Sequence, residues 1–463
     1  MTPARKRLRV GIDLTPLLPV ATGVDQYLVE LVRAISRMDR ETLFFVLVNW
    51  EDRKRLAGGL GKNFTVVPVA TRARLVRFLS QQFLLPMLAA ALRFQVIHST
   101  SFLMPFFRGK SSHVLTVFDT TMLDLPDYHN WYRRSFPFRA ALAMSIRRAD
   151  LILVPSRHVQ QEVLPWLPAG AAADRVRVVP LGVGNRFSPP ESLNRQGLPP
   201  SLRGIPSYVL FVGTIEPRKN IETLLEGYRR AVQGSRLEEH LVLTGKHGWG
   251  RDPRRVLDKM PEVRGRVHFT GYVDSETLLA LYRNAKLFIY PSKEEGFGLP
   301  PLEAMACGVP TVATDTSSLR ENLRGAATLI PPGDPEALRA ALVRGLGNPE
   351  LRETLRRDGQ VRARRFTWEQ AARLTLDVYR ESIRIRERRW GERQPAKRAG
   401  AHNENRLPKP QRAVAGPSQI SDEFSGRMAH RQEPENRQPQ EKRQPESLFA
   451  EDGPGRSEHK KPG

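Results

Sequence analysis

The sequence predicts an α/β protein made of two doubly wound parallel sheets, and three observations carry that expectation. Short apolar, β-branched segments alternate with amphipathic stretches from residue 8 to about 385, the pattern of strands joined by helices that cover both faces of a sheet. A stretch dense in Pro and Gly, PLGVGNRFSPPESLNRQGLPPSLRG, interrupts the alternation once near the middle, and the same pattern then restarts. A chain of 463 residues also suits two cores and a remainder better than one domain.

In the first run, LRVGIDL (8–14), LFFVLVN (43–49), TVVPVA (65–70), QVIHS (95–99), HVLTVF (113–118) and DLILVPS (150–156) read as strands. Between the first two, Val24, Tyr27, Leu28, Leu31, Val32 and Ile35 fall on one face of a helix, the spacing of three and four that an apolar stripe requires. The second run reads SYVLFVG (207–213), HLVLTG (240–245), RVHFTG (266–271), KLFIYPS (286–292), VPTVAT (309–314) and ATLIPP (327–332). Closing helices follow from about Pro335 to Trp390. The expected domains are therefore 1–186 and 187–390. Residues 391–463, rich in Gln, Pro, Glu, Arg and Lys with few large apolar groups, bury too little to offset ordering entropy and read as a disordered tail.

Composition narrows the function classes. The single cysteine, Cys307, excludes a disulfide framework and a clustered thiolate metal site, which suits a reducing compartment, the cytoplasm. The opening MTPARKRLRVGIDL runs from basic residues straight into a strand and does not read as a secretory signal. The longest apolar run, FLLPMLAAAL (83–92), is shorter than the ~18 residues needed to cross a bilayer. The net charge is +24, and the tail, with fourteen Lys and Arg against eleven Asp and Glu, holds only +3 of it. The folded part is thus strongly basic and attracts phosphates, nucleic acid or anionic lipid. A nucleic-acid partner is not expected, because no stacking platform or known module accompanies the charge.

One segment concentrates the chemistry. LFIYPSKEEGFGLPPLEAMACGVPTVAT (287–314) reads as strand, loop, helix, strand, with Pro300 and Pro301 in the first helical positions, where a missing N–H costs nothing, and Gly308 ending the helix. Glu295 falls in the loop at the carboxyl end of the strand and Glu303 in the first turn of the helix, at the crevice where open α/β sheets bind ligands. A helix N-terminus there favours a phosphate, the carboxylates can accept hydrogen bonds from sugar or ribose hydroxyls, and Gly296 and Gly298 let the backbone approach.

The pair Glu295 and Glu303, separated by the seven residues GFGLPPL, resembles the signature of the family 4 glycosyltransferases. VGTIEPRKN (212–220), LTGKHGWG (243–250), RVHFTGYV (266–273), AMACGVPTVATD (304–315), FTWEQAA (366–372) and PLGVGNRF at the junction are similar to that family in order and spacing, as are TGVDQYLVELVRAI and QVIHS less specifically. The resemblance spans roughly residues 8–385. It implies the GT-B fold, two Rossmann-like domains facing a cleft, with the last helix packing back on the N-terminal domain.

It further implies a retaining hexosyltransferase, of the mannosyl or a related kind, that uses a nucleotide-diphosphate sugar and a glycan or lipid-linked oligosaccharide acceptor in bacterial polysaccharide assembly. By the resemblance, Arg218 and Lys219 contact the donor diphosphate just after the strand closed by Gly213. Glu295 faces the transferred sugar and Glu303 holds the ribose. Phe297, Gly298 and Leu299 offer backbone amides, and Gly23 lets the N-terminal domain approach the diphosphate. Two cations fixed in a water-poor cleft would stabilise the charge that develops on a departing diphosphate.

No metal or other cofactor is expected, since no Asp-x-Asp cluster is present and Arg218, Lys219 and a helix dipole can replace a cation. Thr214 stands where many relatives carry Arg. Phe118 stands where many carry a His near the reacting sugar, and Phe cannot exchange a proton. The neighbouring Asp119 is left to bind acceptor or substrate. Phe118 and the tail are also the features that would suit a non-catalytic scaffold of the same fold. His98 matches a frequent family histidine and equally suits a core position.

On the acceptor side, Arg72, Arg74, Arg77, Arg133, Arg134, Arg139, Arg147 and Arg148 lie among apolar residues including Trp131, Phe136 and Phe138. Such a surface could rest on the inner face of an anionic membrane as a peripheral protein.

Overall fold

Among the residues described in the computed structural model (7–18, 23–56, 58–107, 109–125, 135–170, 173–192, 194–235 and 237–401, backbone alone at 23–24 and 389–401), thirteen strands form two parallel sheets. The first contains β1 (Arg9–Asp13), β2 (Leu43–Asn49), β3 (Phe64–Val69), β4 (Val96–Ser99), β5 (Ser112–Thr116), β6 (Leu151–Val154) and β7 (Val176–Val178), in the order β3-β2-β1-β4-β5-β6-β7. The second contains β8 (Tyr208–Val212), β9 (His240–Thr244), β10 (Val267–Gly271), β11 (Leu287–Tyr290), β12 (Thr311–Thr314) and β13 (Thr328–Ile330), in the order β10-β9-β8-β11-β12-β13.

The strands lie where the apolar segments placed them, except that β7 was not read from the sequence. Its three residues include Arg177, so no apolar run announces it. Most central strands are buried on both faces, which is why they appear as continuous apolar runs. The strand order reverses between β1 and β4 in one sheet and between β8 and β11 in the other, and each reversal opens a crevice at the carboxyl ends of its strands.

Helix α1 (Gly23–Met38) buries Tyr27, Leu28, Leu31, Val32 and Ile35, the stripe its spacing predicted. Part of that face meets α12 (Trp368–Ala401), the final helix, which crosses back to the first sheet. There Tyr379 shares a 2.8 Å hydrogen bond with His98, Ser112 donates to the carbonyl of Ser382 at 3.0 Å, and Trp368 packs on Tyr27 with ring centroids 5.6 Å apart. The junction between the sheets is held at the same place. Val183 N–H donates to Phe366 O at 3.0 Å, and a Cβ at Gly182 would come within 2.4 Å of the Trp368 nitrogen.

The backbone of α12 continues to Ala401, past the limit expected at 390. Glu392, Arg393, Gln394, Ala396, Lys397 and Arg398 are good helix formers, although Gly391, Pro395 and Gly400 in the same stretch are not. The remainder of the expected tail, 402–463, lies outside the described residues.

Candidate active site

The two crevices face one cleft of about 500 Å³. On one side it is lined by residues such as Gln81, Phe118 and Asp119, and on the other by Gly213, Arg218, Lys219, Glu295, Phe297, Gly298 and Leu299. The structure thus brings together all four residues expected to act on the reacting groups and most of those expected to hold the donor.

Each is positioned by local chain chemistry. β8 ends at Val212, just before Gly213, and the chain then makes a 3₁₀ turn at Pro217–Lys219, closed by Asn220 in the left-handed region at φ 57°. Lys293 N–H donates to Arg218 O at 2.8 Å, fastening that turn to the loop after β11. The loop is fixed from α9 (Ser317–Leu323): Ser317 Oγ accepts from Glu295 N–H at 3.0 Å, Ser318 Oγ donates to Glu295 O at 2.7 Å, and Asn322 Nδ2 donates to Phe297 O at 2.7 Å. Helix α8 (Leu299–Ala306) then starts from Gly298, whose φ of 87° favours glycine and whose Cβ would meet Leu319 at 2.5 Å. Gly308, at φ 78°, ends it as expected.

At the centre stands a buried ion cluster. Arg218 Nε lies 2.5 Å from Glu216 Oε1 and its Nη1 3.0 Å from Glu295 Oε2. Lys219 Nζ pairs with Glu295 Oε1 and donates to Tyr290 Oη at 2.5 Å. Asp119 is close enough to Arg218 to stabilise its charge. Burial alone would raise the Glu295 pKa, but Arg218 and Lys219 outweigh it and hold the carboxyl at about 2. Burial and the adjacent Arg218 push Lys219 down. Such a cluster presents two fixed cations whose partners are carboxylates, an arrangement suited to a diphosphate and to hydroxyl groups beside it.

Glu303 stands apart from this cluster. It is buried, accepts a hydrogen bond from Tyr282 Oη at 2.9 Å, and is not among the cleft-lining residues. Burial raises its pKa to about 7. The reason is geometric: at the fifth position of α8, the side chain turns toward α7 (Ser275–Asn284), which carries Tyr282. Gly23 opens α1, and only its backbone is described. His98 is a core residue: fully buried in β4, hydrogen-bonded to Tyr379 and Thr116, with burial pushing its pKa down to about 3. Phe118 is buried against Tyr27 and Phe102, at centroid distances of 5.2 and 6.0 Å.

The basic surface expected on the acceptor side is dispersed. Arg72 pairs with Asp52 at 3.1 Å, Arg139 donates to Leu123 O at 2.9 Å, Arg74 and Arg77 line the cleft, and Phe138 is half-buried in it. Phe136, Arg147 and Arg148 are exposed, whereas Trp131, Arg133 and Arg134 lie outside the described residues.

Several residues escaped the sequence reading. The sequence assigns no role to Glu216 and Tyr290, which lie inside VGTIEPRKN and the 287–314 segment, nor to Ser317, Ser318 and Asn322, which lie outside any motif; all five matter through distance in space. Lys246 and Trp249 also line the cleft. Ile215 N–H donates to Lys246 O and Gly248 N–H to Ile215 O, both at 2.9 Å, zipping their loop to the β8 turn. A Cβ at Gly248 would meet Thr214 at 2.8 Å.

A second polar cluster bridges the two halves beside the site. His158, on α5 (Arg157–Val163), places Nε2 2.9 Å from Glu294 and 3.1 Å from Glu162. Hydrogen bonds to Glu162 and Glu294 raise its pKa to about 10. The polar atoms of these three residues lie within 4.8 Å of one another. Nearby, Ser156 Oγ donates to Gly296 O at 2.8 Å and Arg157 N–H to Glu321 Oε1 at 2.9 Å.

Comparison with known proteins agrees with this geometry. Residues 201–362 match the family model for glycosyl transferases group 1, and residues 21–184 match that for glycosyltransferase family 4. The chain is 30% identical over 394 residues to O-antigen chain mannosyltransferase B of Escherichia coli, covering 81% of this chain and 100% of that protein. This chain belongs to glycosyltransferase family 4. It is a nucleotide-sugar-dependent hexosyltransferase.

Other family 4 relatives cover less. The serotype-specific mannosyltransferase WbdA of Escherichia coli is 32% identical over 236 residues, 50% of this chain and 29% of that protein. Among solved structures, sucrose-phosphate synthase from Thermosynechococcus elongatus superposes with a TM-score of 0.66 at 22% identity, covering 81% and 99% of the two chains. Anabaena HepE, solved with UDP-glucose, gives a TM-score of 0.62 at 15% identity, covering 81% and 100%. At these identities the superpositions establish the GT-B fold.

Proposed function

We propose that this family 4 enzyme transfers a hexose, mannose by preference, from a nucleoside diphosphate sugar to a growing glycan or lipid-linked oligosaccharide in bacterial polysaccharide assembly, with retention of anomeric configuration. The observation that carries the reading is the buried Arg218–Lys219–Glu295 cluster at the β8/β11 reversal, on the wall of the cleft. The mannosyl preference follows the names of O-antigen chain mannosyltransferase B, which matches over 394 residues, and of WbdA.

In this reading the donor diphosphate lies against Arg218 and Lys219, Tyr290 and Glu295 set the Lys219 ammonium, and the amides of Phe297, Gly298 and Leu299 face the sugar and phosphate. The bond from the anomeric carbon to the phosphate oxygen breaks as the acceptor hydroxyl attacks from the same face. The acceptor's proton passes to the departing phosphate oxygen, whose growing charge the two cations stabilise. Arg218, Lys219 and the amino end of α8 take the electrostatic part without a divalent cation. Phe118 gives the reacting sugar an apolar wall, and Asp119 is left to orient a hydroxyl. Glu303 reaches the ribose by releasing Tyr282. The enzyme works at the cytoplasmic face of an anionic membrane, where lipid-linked acceptors are presented.

The test is product analysis. The purified chain is incubated with GDP-mannose, UDP-glucose and ADP-glucose in parallel, with a mannose-terminated oligosaccharide as acceptor, and the new linkage is read by NMR. Transfer from GDP-mannose with the donor's own anomeric configuration is expected. An inverted product, or transfer from none of the three, contradicts the reading.

A further inference from the structure

Between β3 and β4 the chain forms one long helical segment: α2 (Arg74–Leu79), a π-turn (Ser80–Leu84) and α3 (Leu85–Ala91). Its inner face is pinned. Gln81 Nε2 donates to Asp13 Oδ2 at 2.8 Å, Phe106 N–H donates to Gln82 Oε1 at 2.8 Å, and Leu85 and Ala89 are buried. Its outer face is apolar. Leu75 (69% exposed), Leu79 (44%), Phe83 (55%) and Met87 (67%) follow one another at intervals of four residues.

In an uninterrupted α-helix a step of four over-rotates by about 40° each time, and such a row would wind away round the axis. The π-turn prevents this. Leu85 N–H reaches back five residues to Ser80 O, directly before Pro86, which has no N–H to continue the α-ladder. The looser turn takes back part of the over-rotation and brings the four side chains toward one ridge. Phe107, 64% exposed, extends it, its ring centroid 6.1 Å from that of Phe83.

The stretch of chain that carries the ridge has charge of one sign. From residue 53 to residue 118 there are ten Lys and Arg and no Asp or Glu. Arg93 and Lys110, both exposed, belong to this stretch. The segment also adjoins the active site, because Arg74, Arg77, Phe78 and Gln81 line the cleft.

We infer that the ridge Leu75–Leu79–Phe83–Met87, with Phe107, is the surface by which the enzyme seats itself on an anionic lipid bilayer, its apolar side chains entering the interface and the acid-free stretch facing the headgroups. This rests on the membrane-bound reading above and names the surface that realises it. The cleft then opens beside the bilayer, within reach of an acceptor whose lipid stays in the membrane.

The experiment is co-sedimentation of the full chain with phosphatidylcholine vesicles with or without 30% phosphatidylglycerol. Wild type is compared with Phe83→Asp/Met87→Asp and with Arg93→Glu/Lys110→Glu. Thermal unfolding confirms folding, and the thermal shift given by GDP, UDP and ADP reports the donor site separately. Wild type is expected to bind anionic vesicles and to lose roughly tenfold or more of its partitioning in either double variant, with nucleotide shifts unchanged. Equal partitioning of wild type and variants overturns the ridge while leaving the donor site standing. Failure of wild type to bind, or a dimer in size exclusion that dissociates in Phe83→Asp/Met87→Asp, assigns the ridge elsewhere and also overturns it. A nucleotide shift missing from all proteins, with vesicle binding intact, would count against the transferase reading alone.

Discussion

Gly296 and Phe118 meet across the cleft so closely that a Cβ at residue 296 would stand 1.9 Å from the Phe118 carbonyl oxygen. The contact sets how near the loop carrying Glu295 comes to the wall carrying Asp119. Because the obstructing atom belongs to the backbone, it cannot turn aside. Gly296→Ala is therefore expected to hold the two walls apart and to lower kcat/KM by about 10²-fold through misplacement of the reacting groups, with Tm little changed. Steady-state kinetics with a melting curve checks this, and a variant of normal kcat/KM would show that the approach is dispensable.

Trp249 lines the cleft on a loop whose backbone is zipped to the β8 turn, and it offers an aromatic plane to the same cleft as the ion cluster. A pyranose ring packs well on such a plane. Trp249→Ala is expected to raise the KM of one substrate about tenfold with a smaller change in kcat, and Trp249→Phe to restore most of it. Whether the donor or acceptor KM moves tells which sugar it supports; if neither moves, Trp249 has no part in binding.

Glu303 gives a signature in pH. Its pKa is raised to about 7 by burial, so the folded state favours the protonated form. The stabilisation is complete below the ordinary value near 4.5 and is lost as pH rises through about 7. Glu303→Gln keeps a neutral side chain throughout. Its Tm should exceed that of wild type by about 2–4 °C at pH 8.5, with the gap closing by pH 5. A pH-independent gap would mean that the charge of Glu303 does not matter.

The bridge at His158 titrates at the other end of the range. Hydrogen bonds to Glu162 and Glu294 raise its pKa to about 10, so its contribution is complete below about 6.5 and is lost as pH rises through about 10. Wild type should lose stability between pH 8.5 and 10.5 more steeply than His158→Gln, as followed by urea unfolding across that range. Parallel losses would show that the bridge does not couple the halves.

The fold and the site were legible to different degrees, for physical reasons. Strands buried on both faces leave unbroken apolar runs, which is why β4, β8 and β11 could be read directly, while β7, three residues long and carrying Arg177, could not. Arg218, Lys219 and Glu295 lie within motifs, and their meeting follows from the adjacency of β8 and β11. Glu216 and Tyr290 lie inside the same motifs and Ser317 outside them, but nothing local says that they bear on the cluster, because their roles come from side-chain direction. Glu303 had a motif position, but its hydrogen bond to Tyr282 depends on how α7 packs on α8, which spacing along the chain does not encode. The apolar ridge was hidden because a row of steps of four drifts round an α-helix, and nothing in the sequence announces the π-turn that brings it back into line.

The central claim is that Arg218 and Lys219 form the diphosphate site of a working donor pocket, and nucleotide binding tests it most directly. Isothermal calorimetry of GDP, UDP and ADP is compared between wild type and Lys219→Ala, a substitution that removes one cation and leaves Arg218 paired with Glu216 and Glu295. The account predicts saturable binding of one nucleoside diphosphate by wild type, weakened at least tenfold in the variant, with the monophosphate of that nucleoside affected far less. Equal affinities in the two proteins, or no binding of any of the three to wild type, would contradict it.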